Sequence, residues 1–541
     1  MGLDSRRETA FWETLQRHLC PLGVKAARVF GVSIAGAVAD LVTVEARFDK
    51  AREGAERTTV EIALSGLPDA VIRESRGRLL SALSANRLPV PPGRLLLNLA
   101  PAGLRKSGEG LDLPLALGAA AAVGHLSRGA AARALFLGEL GVDGRLNPVS
   151  GGFAAAEAAV EAGLKVLIAP TATAREAACH PGIQAIAVES LADAVAWATG
   201  AREFGPVQPP DEPADREAAR LQRALVSLGR VRGQVQAKRA LTVAAAGGHS
   251  LLLHGPPGTG KSLLAQALVD LLPIPELAAR VEITRVRSAA GLAPRALESR
   301  RPFRAPHHTT SHAGLVGGGN PPRAGELSLA HEGVLFLDEL PEWRREVLES
   351  LRQPLEDQRV LLARAGARVE LPARAHLVAA MNPCPCGFRG HPQRPCRCSP
   401  GEIHRYWRRL SGPFLDRLCL RVELPVPSMA ALSGRLPATD QGPTDSSWVD
   451  LVGRARAASA KRQGPTLNHS LDADALGQHA ALEKEPLRLL ERAAEAHAYS
   501  ARAVHGIWRS ARTVADLGQR ELIQTKDIAE ALGLRPNLEE A

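Results

Sequence analysis

The chain has 541 residues, of which 45% are hydrophobic and 23% charged, and its formal net charge is +10. At about 150 residues per domain, this length predicts about three domains with ordinary globular cores. No stretch approaches the roughly 18 consecutive apolar residues of a membrane-spanning helix, and the N-terminus lacks the basic-then-apolar order of a signal peptide. We therefore expect a cytoplasmic protein with no membrane partner.

The first two hundred residues predict a short arm followed by a mixed domain. Residues 1–23 are charged and predict an N-terminal arm. From Val24 onward, alternating apolar and polar residues indicate strands, and a helical pattern begins at Asp69, so residues 24–200 predict one α/β domain. Residues 201–217 mix prolines with charged residues, which is typical of a linker.

A glycine-rich stretch then follows the apolar run 250–254 and precedes a helical pattern. In that context the pattern G-x-x-x-x-G-K-S binds phosphate, because backbone N–H groups and a helix N-terminus converge on the anion. Lys261 is expected to reach the β- and γ-phosphates, and Ser262 to bind Mg²⁺. The predicted ATP-binding residues are Gly255, Pro256, Pro257, Gly258, Thr259, Gly260, Lys261 and Ser262.

Two further apolar runs end in polar residues. Asp338 and Glu339 follow four apolar residues, as the carboxyl end of a buried parallel strand would deliver them. We expect Asp338 to hold Mg²⁺, directly or through water, and Glu339 to polarise the attacking water. Asn382 follows the apolar run 375–381. One interpretation of Asn382 is an ordinary asparagine in a turn.

The segment 301–319 lies between the glycine-rich stretch and Asp338. It combines basic residues, glycines and two histidines. His307 and His308 are adjacent, and adjacent side chains diverge on a helix or a strand, so a two-histidine metal chelate is not expected. The glycine-rich end of the segment, next to basic residues, suits a loop that touches a polyanion.

Residues 359–374 predict a β-hairpin, because two apolar arms flank Gly366. Contacts with nucleic-acid phosphates need only positive charge within reach. The hairpin offers Arg364, Arg368 and Arg374 for such contacts.

Four cysteines lie within 15 residues as two C-x-C pairs: Cys384, Cys386, Cys396 and Cys398. Four thiolates suit a tetrahedral Zn²⁺ site, although the usual structural spacing is C-x₂-C, so buried thiols are the alternative. His391 is a substitute ligand. From Cys384 to Arg421 there are eight arginines and two acidic residues. This excess predicts either a nucleic-acid contact or a merely solvated surface.

The remaining boundaries follow from composition. We expect an ATPase core over residues 218–427 and a loose connecting region over residues 428–470. We expect a helical lid over residues 471–541.

Several segments resemble the ComM/YifB family of magnesium-chelatase-like AAA+ ATPases. They are NLAPAGLRK at 98–106, LDLPLAL at 111–117 and the insert 301–319, and the resemblance extends over residues 24 to about 535. It implies a ribosomal-S5-like, Lon-protease-like N-terminal domain, a central AAA+ P-loop domain with a parallel sheet, and a C-terminal helical lid. Lon proteases need a serine activated by a lysine. Here Lys106 and Ser107 are adjacent and no lysine follows Gly152 until Lys165, so proteolysis is not expected.

The resemblance also implies roles for single residues. Asn382 matches the position called sensor 1, which orients the lytic water or contacts the γ-phosphate. Arg417 matches an arginine finger that acts on the nucleotide of a neighbouring subunit, which implies a homohexameric ring. An ion pair of Arg417 with Asp416 is the alternative. Arg502 matches sensor 2, a lid arginine that reaches the nucleotide, with Arg509 and Arg512 as competitors.

The function that the resemblance implies is a DNA helicase that drives branch migration during homologous recombination and natural transformation. One alternative is a chelatase-like motor for metal insertion, and another is a Lon-like protein-remodelling ATPase without protease activity. Stimulation of ATP hydrolysis by DNA would separate the first function from both alternatives.

Overall fold

The computed structural model describes residues 26–35, 38–51, 59–66, 69–101, 106, 110–208, 215–292, 296–319, 323–364, 367–433 and 445–536. The predicted arm 1–23, Ser107 and Gly366 lie outside these residues. The chain splits into two compact units. The first comprises Met1–Pro210 and Gly291–Ala296, and the second comprises Asp211–Ala290 and Leu297–Ala541.

The first unit is built on a mixed sheet. Its described strands are β1 (Ala27–Ala35), β2 (Val38–Lys50), β3 (Val60–Ser65), β4 (Gly93–Ala100), β5 (Leu135–Phe136), β6 (Glu139–Leu140), β7 (Leu146–Asn147), β8 (Val166–Ala169) and β9 (Gln184–Ala187). Seven of them form a sheet in the order β3-β4-β2-β1-β5-β8-β9. Strand β2 pairs antiparallel with β1 and β4, and the other pairs are parallel. Strands β6 and β7 form a separate antiparallel pair.

Helices cover this sheet. They are α1 (Asp69–Ala85), α2 (Asp112–Val123), α3 (Gly152–Glu161), α4 (Thr171–Ala177) and α5 (Leu191–Thr199). Helix α2 is rich in alanine and leucine and is buried from Asp112 to Ala121. A Cβ on Gly118 would lie 3.1 Å from Cγ1 of Val44, so the helix backbone lies directly on the sheet. The unit is α/β, and its likeness to the S5 fold stays a prediction.

The second unit contains a parallel sheet. Its described strands are β10 (Leu251–His254), β11 (Phe303–Arg304), β12 (Gly317–Gly318), β13 (Arg323–Ala324), β14 (Val334–Leu337), β15 (Arg359–Arg364), β16 (Ala367–Pro372), β17 (His376–Met381) and β18 (Leu420–Glu423). Five of them lie in the order β11-β14-β17-β10-β18, all parallel. Strands β10 and β14 are buried at every residue, because helices cover both faces of such a sheet. Strands β15 and β16 form the predicted hairpin.

The helices of the second unit are α6 (Arg216–Arg230), α7 (Val235–Gly247), α8 (Lys261–Leu271), α9 (Leu277–Ala289), α10 (His312–Leu315), α11 (Glu326–Leu329), α12 (Arg345–Ser350), α13 (Arg352–Asp357), α14 (Pro400–Trp407), α15 (Gly412–Leu415), α16 (Met429–Leu432), α17 (Asp445–Gln463), α18 (Ala473–His479), α19 (Lys484–Ala496), α20 (Ala501–Leu517) and α21 (Thr525–Gly533). The sheet order and the helical C-terminal region agree with the predicted AAA+ domain and lid. No helix in the described ranges is long and apolar enough to cross a membrane.

The segment 428–470 differs from the loose connection that we predicted. It contains α16 and the 19-residue helix α17, which packs against α7 and α20. The signal lies in Trp448, Val449, Val452 and Ala455, which follow helical spacing and are 1–4% exposed. The prolines and polar residues before Asp445 obscured this pattern.

Candidate ATP site

The glycine-rich loop connects β10 to α8, so the strand–loop–helix context of the motif is present. Gly258 and Gly260 have φ angles of 79° and 92°, in the left-handed region where glycine is favoured. A Cβ on Gly255 would lie 2.5 Å from the carbonyl oxygen of Leu424, so only glycine fits there. Such conformations allow backbone N–H groups at the start of a helix to turn toward a phosphate, as a phosphate-binding loop requires.

Lys261, the first residue of α8, points back across this loop. Its Nζ donates hydrogen bonds to the carbonyl oxygens of Gly255 (2.6 Å) and Pro256 (2.9 Å) and to Oδ1 of Asn382 (3.1 Å). Burial lowers the pKa of Lys261 to about 8, and the Asp338 carboxylate opposes this shift. The contact with Asn382 joins two residues that are 121 positions apart in the chain.

Asp338 completes the cluster. Its Oδ2 lies 3.4 Å from the hydroxyl of Ser262, its Oδ1 accepts from the backbone N–H of Glu339 at 2.8 Å, and its carbonyl accepts from the indole of Trp343 at 2.9 Å. Because β10, β14 and β17 are parallel neighbours, the residues after each strand meet at one edge of the sheet. The structure therefore brings together Lys261, Ser262, Asp338 and Asn382.

Glu339 makes a contact that the sequence did not reveal. Its Oε2 lies 3.2 Å from Nδ1 of His308, and its backbone has a positive φ of 49°, which is uncommon for a residue other than glycine. The two histidines lie outside helices and strands, so the divergence expected on those elements does not apply, and their tilted rings have centroids 4.1 Å apart. The absence of a two-histidine metal chelate stays a prediction. His307 bonds to Thr309 instead of Glu339, at 2.9 Å.

Arg417 lies at the opposite edge of the sheet. It precedes β18, whose Leu420 pairs with Leu251 at the start of β10, whereas the P-loop follows His254 at the end of β10. Four residues at about 3.3 Å each separate the two edges by roughly 13 Å. The guanidinium group of Arg417 contacts Glu356 at 2.5 Å and donates to the carbonyl of Pro413 at 2.7 Å.

Arg502 joins Arg417 at this edge, because it contacts the same oxygen of Glu356. Arg509 and Arg512, the other candidates for the sensor 2 position, make different contacts. Arg509 donates to the carbonyl of Leu471 at 2.6 Å, and Arg512 is 1% exposed and paired with Asp516. The alternative ion pair of Arg417 with Asp416 is absent from the described contacts. Asp416 pairs instead with Arg535 at 3.2 Å.

The four cysteines of the two C-x-C pairs come together. Their sulfur atoms all lie within 4.8 Å of one another, and none of the four is in a disulfide. His391 is not part of the cluster, since its Nδ1 accepts from the backbone N–H groups of Gln393 and Arg394. The arrangement can hold one metal ion with four sulfur ligands.

The basic residues divide into paired and exposed groups. Arg374, at the base of the hairpin, forms ion pairs with Glu282 and Glu332, so its charge is neutralised within the protein. The side chains of Arg364 and Arg368 lie outside the described residues. Around the cysteines, four exposed arginines have no ion pair with any described carboxylate: Arg394, Arg397, Arg405 and Arg408.

In the first unit, Lys106 is 3% exposed and donates from Nζ to the carbonyl of Pro101 at 2.6 Å. Burial lowers its pKa. Since Ser107 lies outside the described residues, the structure gives no geometry for a serine–lysine pair, and the prediction that proteolysis is absent stays a prediction.

A P-loop, an Asp-Glu pair and an asparagine at the carboxyl edge of a five-stranded parallel sheet, followed by a helical lid, define an AAA+ ATPase. Three family models match the chain. "Magnesium chelatase, subunit ChlI" matches residues 227–432, "Subunit ChlI of Mg-chelatase" matches residues 53–173, and "Magnesium chelatase, subunit ChlI C-terminal" matches residues 445–535.

Relatives match nearly the whole chain. Competence protein ComM of Haemophilus influenzae is 38% identical over 514 residues, covering 94% of this chain and 97% of that protein. The uncharacterized protein YifB of Escherichia coli is 37% identical over 503 residues, covering 92% and 95%. An uncharacterized protein of Mycobacterium bovis is 37% identical over 515 residues, covering 94% and 98%. The chain belongs to the ComM/YifB family of magnesium-chelatase-like AAA+ ATPases.

Proposed function

We propose that this protein is an ATP-hydrolysing DNA motor, a helicase that promotes branch migration in homologous recombination and natural transformation, and that it works as a homohexameric ring. The observation that supports the motor assignment is that the predicted catalytic residues lie at two opposite edges of the sheet. Lys261, Ser262, Asp338 and Asn382 meet at one edge of the sheet, and Arg417 lies at the other.

At the carboxyl edge, the loop 255–262 would bind the phosphates of ATP. Lys261 would donate to the β- and γ-phosphates in place of the Gly255 and Pro256 carbonyls, and Asn382 would orient the lytic water. Ser262 and Asp338 would hold Mg²⁺, which neutralises phosphate charge when bound. Glu339 would polarise the attacking water after its carboxylate leaves His308.

At the amino edge, Arg417 is too far from its own P-loop to reach the nucleotide bound there. It therefore needs a neighbouring subunit, which supports an oligomer. Arg502 shares its partner Glu356 and would act on the same neighbouring nucleotide. An arginine supplied in trans contributes roughly 10³-fold or more to hydrolysis.

DNA as the partner is supported by two observations. The relative from Haemophilus influenzae is called a competence protein. In this chain, the exposed arginines around the cysteines, Arg394, Arg397, Arg405 and Arg408, form a surface suited to phosphate contacts that do not depend on base sequence.

Branch migration of a three-stranded DNA junction tests this function. We expect strand resolution with ATP, none without ATP, and none with the Lys261→Ala variant, which should keep much of its DNA binding. ATP hydrolysis with no junction movement and no response to DNA would contradict the DNA motor. It would favour the chelatase-like motor, after which the matched family models are named.

A further inference from the structure

The sulfur atoms of the cysteine cluster have the spacing of ligands around one small ion. Cys384 Sγ lies 3.4 Å from Cys386 Sγ and 3.6 Å from Cys396 Sγ, and Cys386 Sγ lies 3.6 Å from Cys396 Sγ. Four sulfurs about 2.3 Å from a tetrahedral Zn²⁺ would be about 3.8 Å apart. A disulfide would bring two sulfurs to about 2.05 Å, and an iron–sulfur cluster would place them on different irons.

Other contacts support a closed metal knuckle. Cys384 is fully buried, and the backbone N–H of Cys386 points at Sγ of Cys398 at 3.4 Å. Such N–H···S contacts orient and stabilise thiolate ligands. The backbone N–H of Gly387 also bonds to the carbonyl of Cys384 at 3.0 Å, which closes the first C-x-C turn.

This knuckle adjoins the candidate ATP site directly. Cys384 is two residues after Asn382, and the indole of Trp407 donates to the carbonyl of Pro383 between them at 3.3 Å. Gly387 has a φ of 81°, and a Cβ there would lie 2.9 Å from the Pro257 ring of the P-loop. The turn between the first two cysteines and the next pair is therefore packed against the phosphate-binding loop.

We propose that Cys384, Cys386, Cys396 and Cys398 bind one Zn²⁺ and that this metal clamps the Asn382 segment against the P-loop. The metal fixes the backbone on one side of Asn382, and β17 fixes it on the other. Asn382 thereby stays within hydrogen-bonding distance of Lys261. The zinc site stands on the thiol geometry alone, whereas the clamp rests on the proposed ATP site.

The metal is tested on the full-length protein by elemental analysis. We expect one zinc per chain in the wild type and in a Cys179→Ser control, whose thiol is buried in the other unit. The Cys396→Ser/Cys398→Ser variant should hold less than a tenth as much. Replacement by Co²⁺ should give the visible spectrum of a tetrahedral thiolate site. A wild type without stoichiometric metal, or with the absorption of an iron–sulfur cluster, would overturn the zinc site.

The clamp is tested by ATP turnover and by the affinity for a fluorescent ATP analogue. Because a displacement of about 1 Å can cost about 100-fold in rate, we expect kcat to fall 10- to 100-fold in the double variant. Wild-type protein stripped of zinc with a chelator, freed of the chelator and assayed with Mg²⁺ should have lost activity, and it should recover when Zn²⁺ is returned, which separates the clamp from misfolding of the variant.

Gly387→Ala provides a second test of the clamp, because this variant keeps all four thiols while adding a methyl group against Pro257. We expect retained zinc and weaker nucleotide binding. Zinc-depleted protein with unchanged turnover and affinity would overturn the clamp. If the wild type neither binds nor hydrolyses ATP, the proposed function and the clamp fail together, while the zinc count still decides the metal site.

Discussion

Lys261 donates to two loop carbonyls and to Asn382, and burial sets its pKa at about 8 instead of the ordinary value near 10.5. ATP binding favours the ammonium form, since phosphate oxygens attract the positive charge. Affinity should therefore be constant below pH 8 and fall as the pH rises through 8. At pH 9 about one tenth of the unliganded protein would still carry the charge, so Kd should rise about tenfold.

This pH dependence can be measured with a fluorescent ATP analogue between pH 7.5 and 9.5. Lys261→Arg is the matched control, because a guanidinium keeps its charge over this range and its profile should be flat. A wild-type Kd that does not change between pH 8 and 9 would show that Lys261 does not titrate against the nucleotide.

His308 holds the carboxylate of Glu339 at 3.2 Å. If Glu339 polarises the attacking water, this contact competes with catalysis. We expect His308→Ala to raise the ATPase rate without DNA by up to about 5-fold, as the loss of one polar contact of about 0.2–1 kcal/mol allows.

His307→Ala is the matched control for that measurement. Its side chain bonds to Thr309 and lies beside the ring of His308, whereas the imidazole that pairs with Glu339 is that of His308. Equal steady-state rates in the wild type and His308→Ala would mean that the contact does not restrain Glu339.

At the scale of elements, the sequence predicted well those features that depend on local pattern. The P-loop and the two polar strand ends needed only a buried strand and the residues after it, and the hairpin 359–372 needed only its two apolar arms. The common position of Asp338 and Asn382 follows from parallel neighbours, so it could be expected once the strands were assigned.

Features that depend on tertiary contacts could not be predicted. Glu356 lies on the short helix α13 and meets Arg417 and Arg502 from segments 61 and 146 residues away. Nothing in its local sequence indicates that contact. The close approach of the His307 and His308 rings likewise depends on an irregular backbone, to which helix and strand geometry does not apply.

The helical lid is joined to α17 by a buried ionic network. Asp516 on α20 is 2% exposed and accepts hydrogen bonds from Arg462, Arg512 and Asn468. Asp516→Ala would remove the carboxylate shared by the buried Arg512 and the partly buried Arg462. Breaking a buried ion pair in this way costs about 3–5 kcal/mol.

We therefore expect Asp516→Ala to lower the midpoint of chemical unfolding of the lid clearly, as followed by circular dichroism or hydrogen exchange. Asp474→Ala, at an exposed position in the first turn of α18, should change stability by less than about 0.5 kcal/mol. Similar unfolding midpoints for the two variants would contradict a stabilising role of the network.

At the scale of the whole molecule, the proposed ring would divide the residues of one ATP site between two subunits. Arg417 sits at the amino edge, roughly 13 Å of strand away from the P-loop edge, so in the proposed ring it would serve a neighbour's nucleotide. We expect Arg417→Ala to bind ATP with a Kd within about twofold of the wild type and to hydrolyse it roughly 10³-fold more slowly.

Mixing variants tests the action in trans. A Glu339→Gln subunit would be inactive at its own site but would still offer an intact Arg417 to its neighbour, so its mixture with Arg417→Ala should recover part of the ATPase rate. The double variant Arg417→Ala/Glu339→Gln is the matched control, since it has no finger to supply. A mixture no faster than this control would contradict an arginine acting in trans.

The shared contact with Glu356 extends this argument to Arg502. If the lid arginine served the nucleotide of its own subunit, Arg502→Ala would stay inactive in every mixture with Glu339→Gln, because no neighbour could replace it. If it accompanies Arg417, the same mixture should recover activity. We expect recovery, because both guanidinium groups are held by one carboxylate at the edge away from the P-loop, and a ring interface that delivers one of them delivers the other.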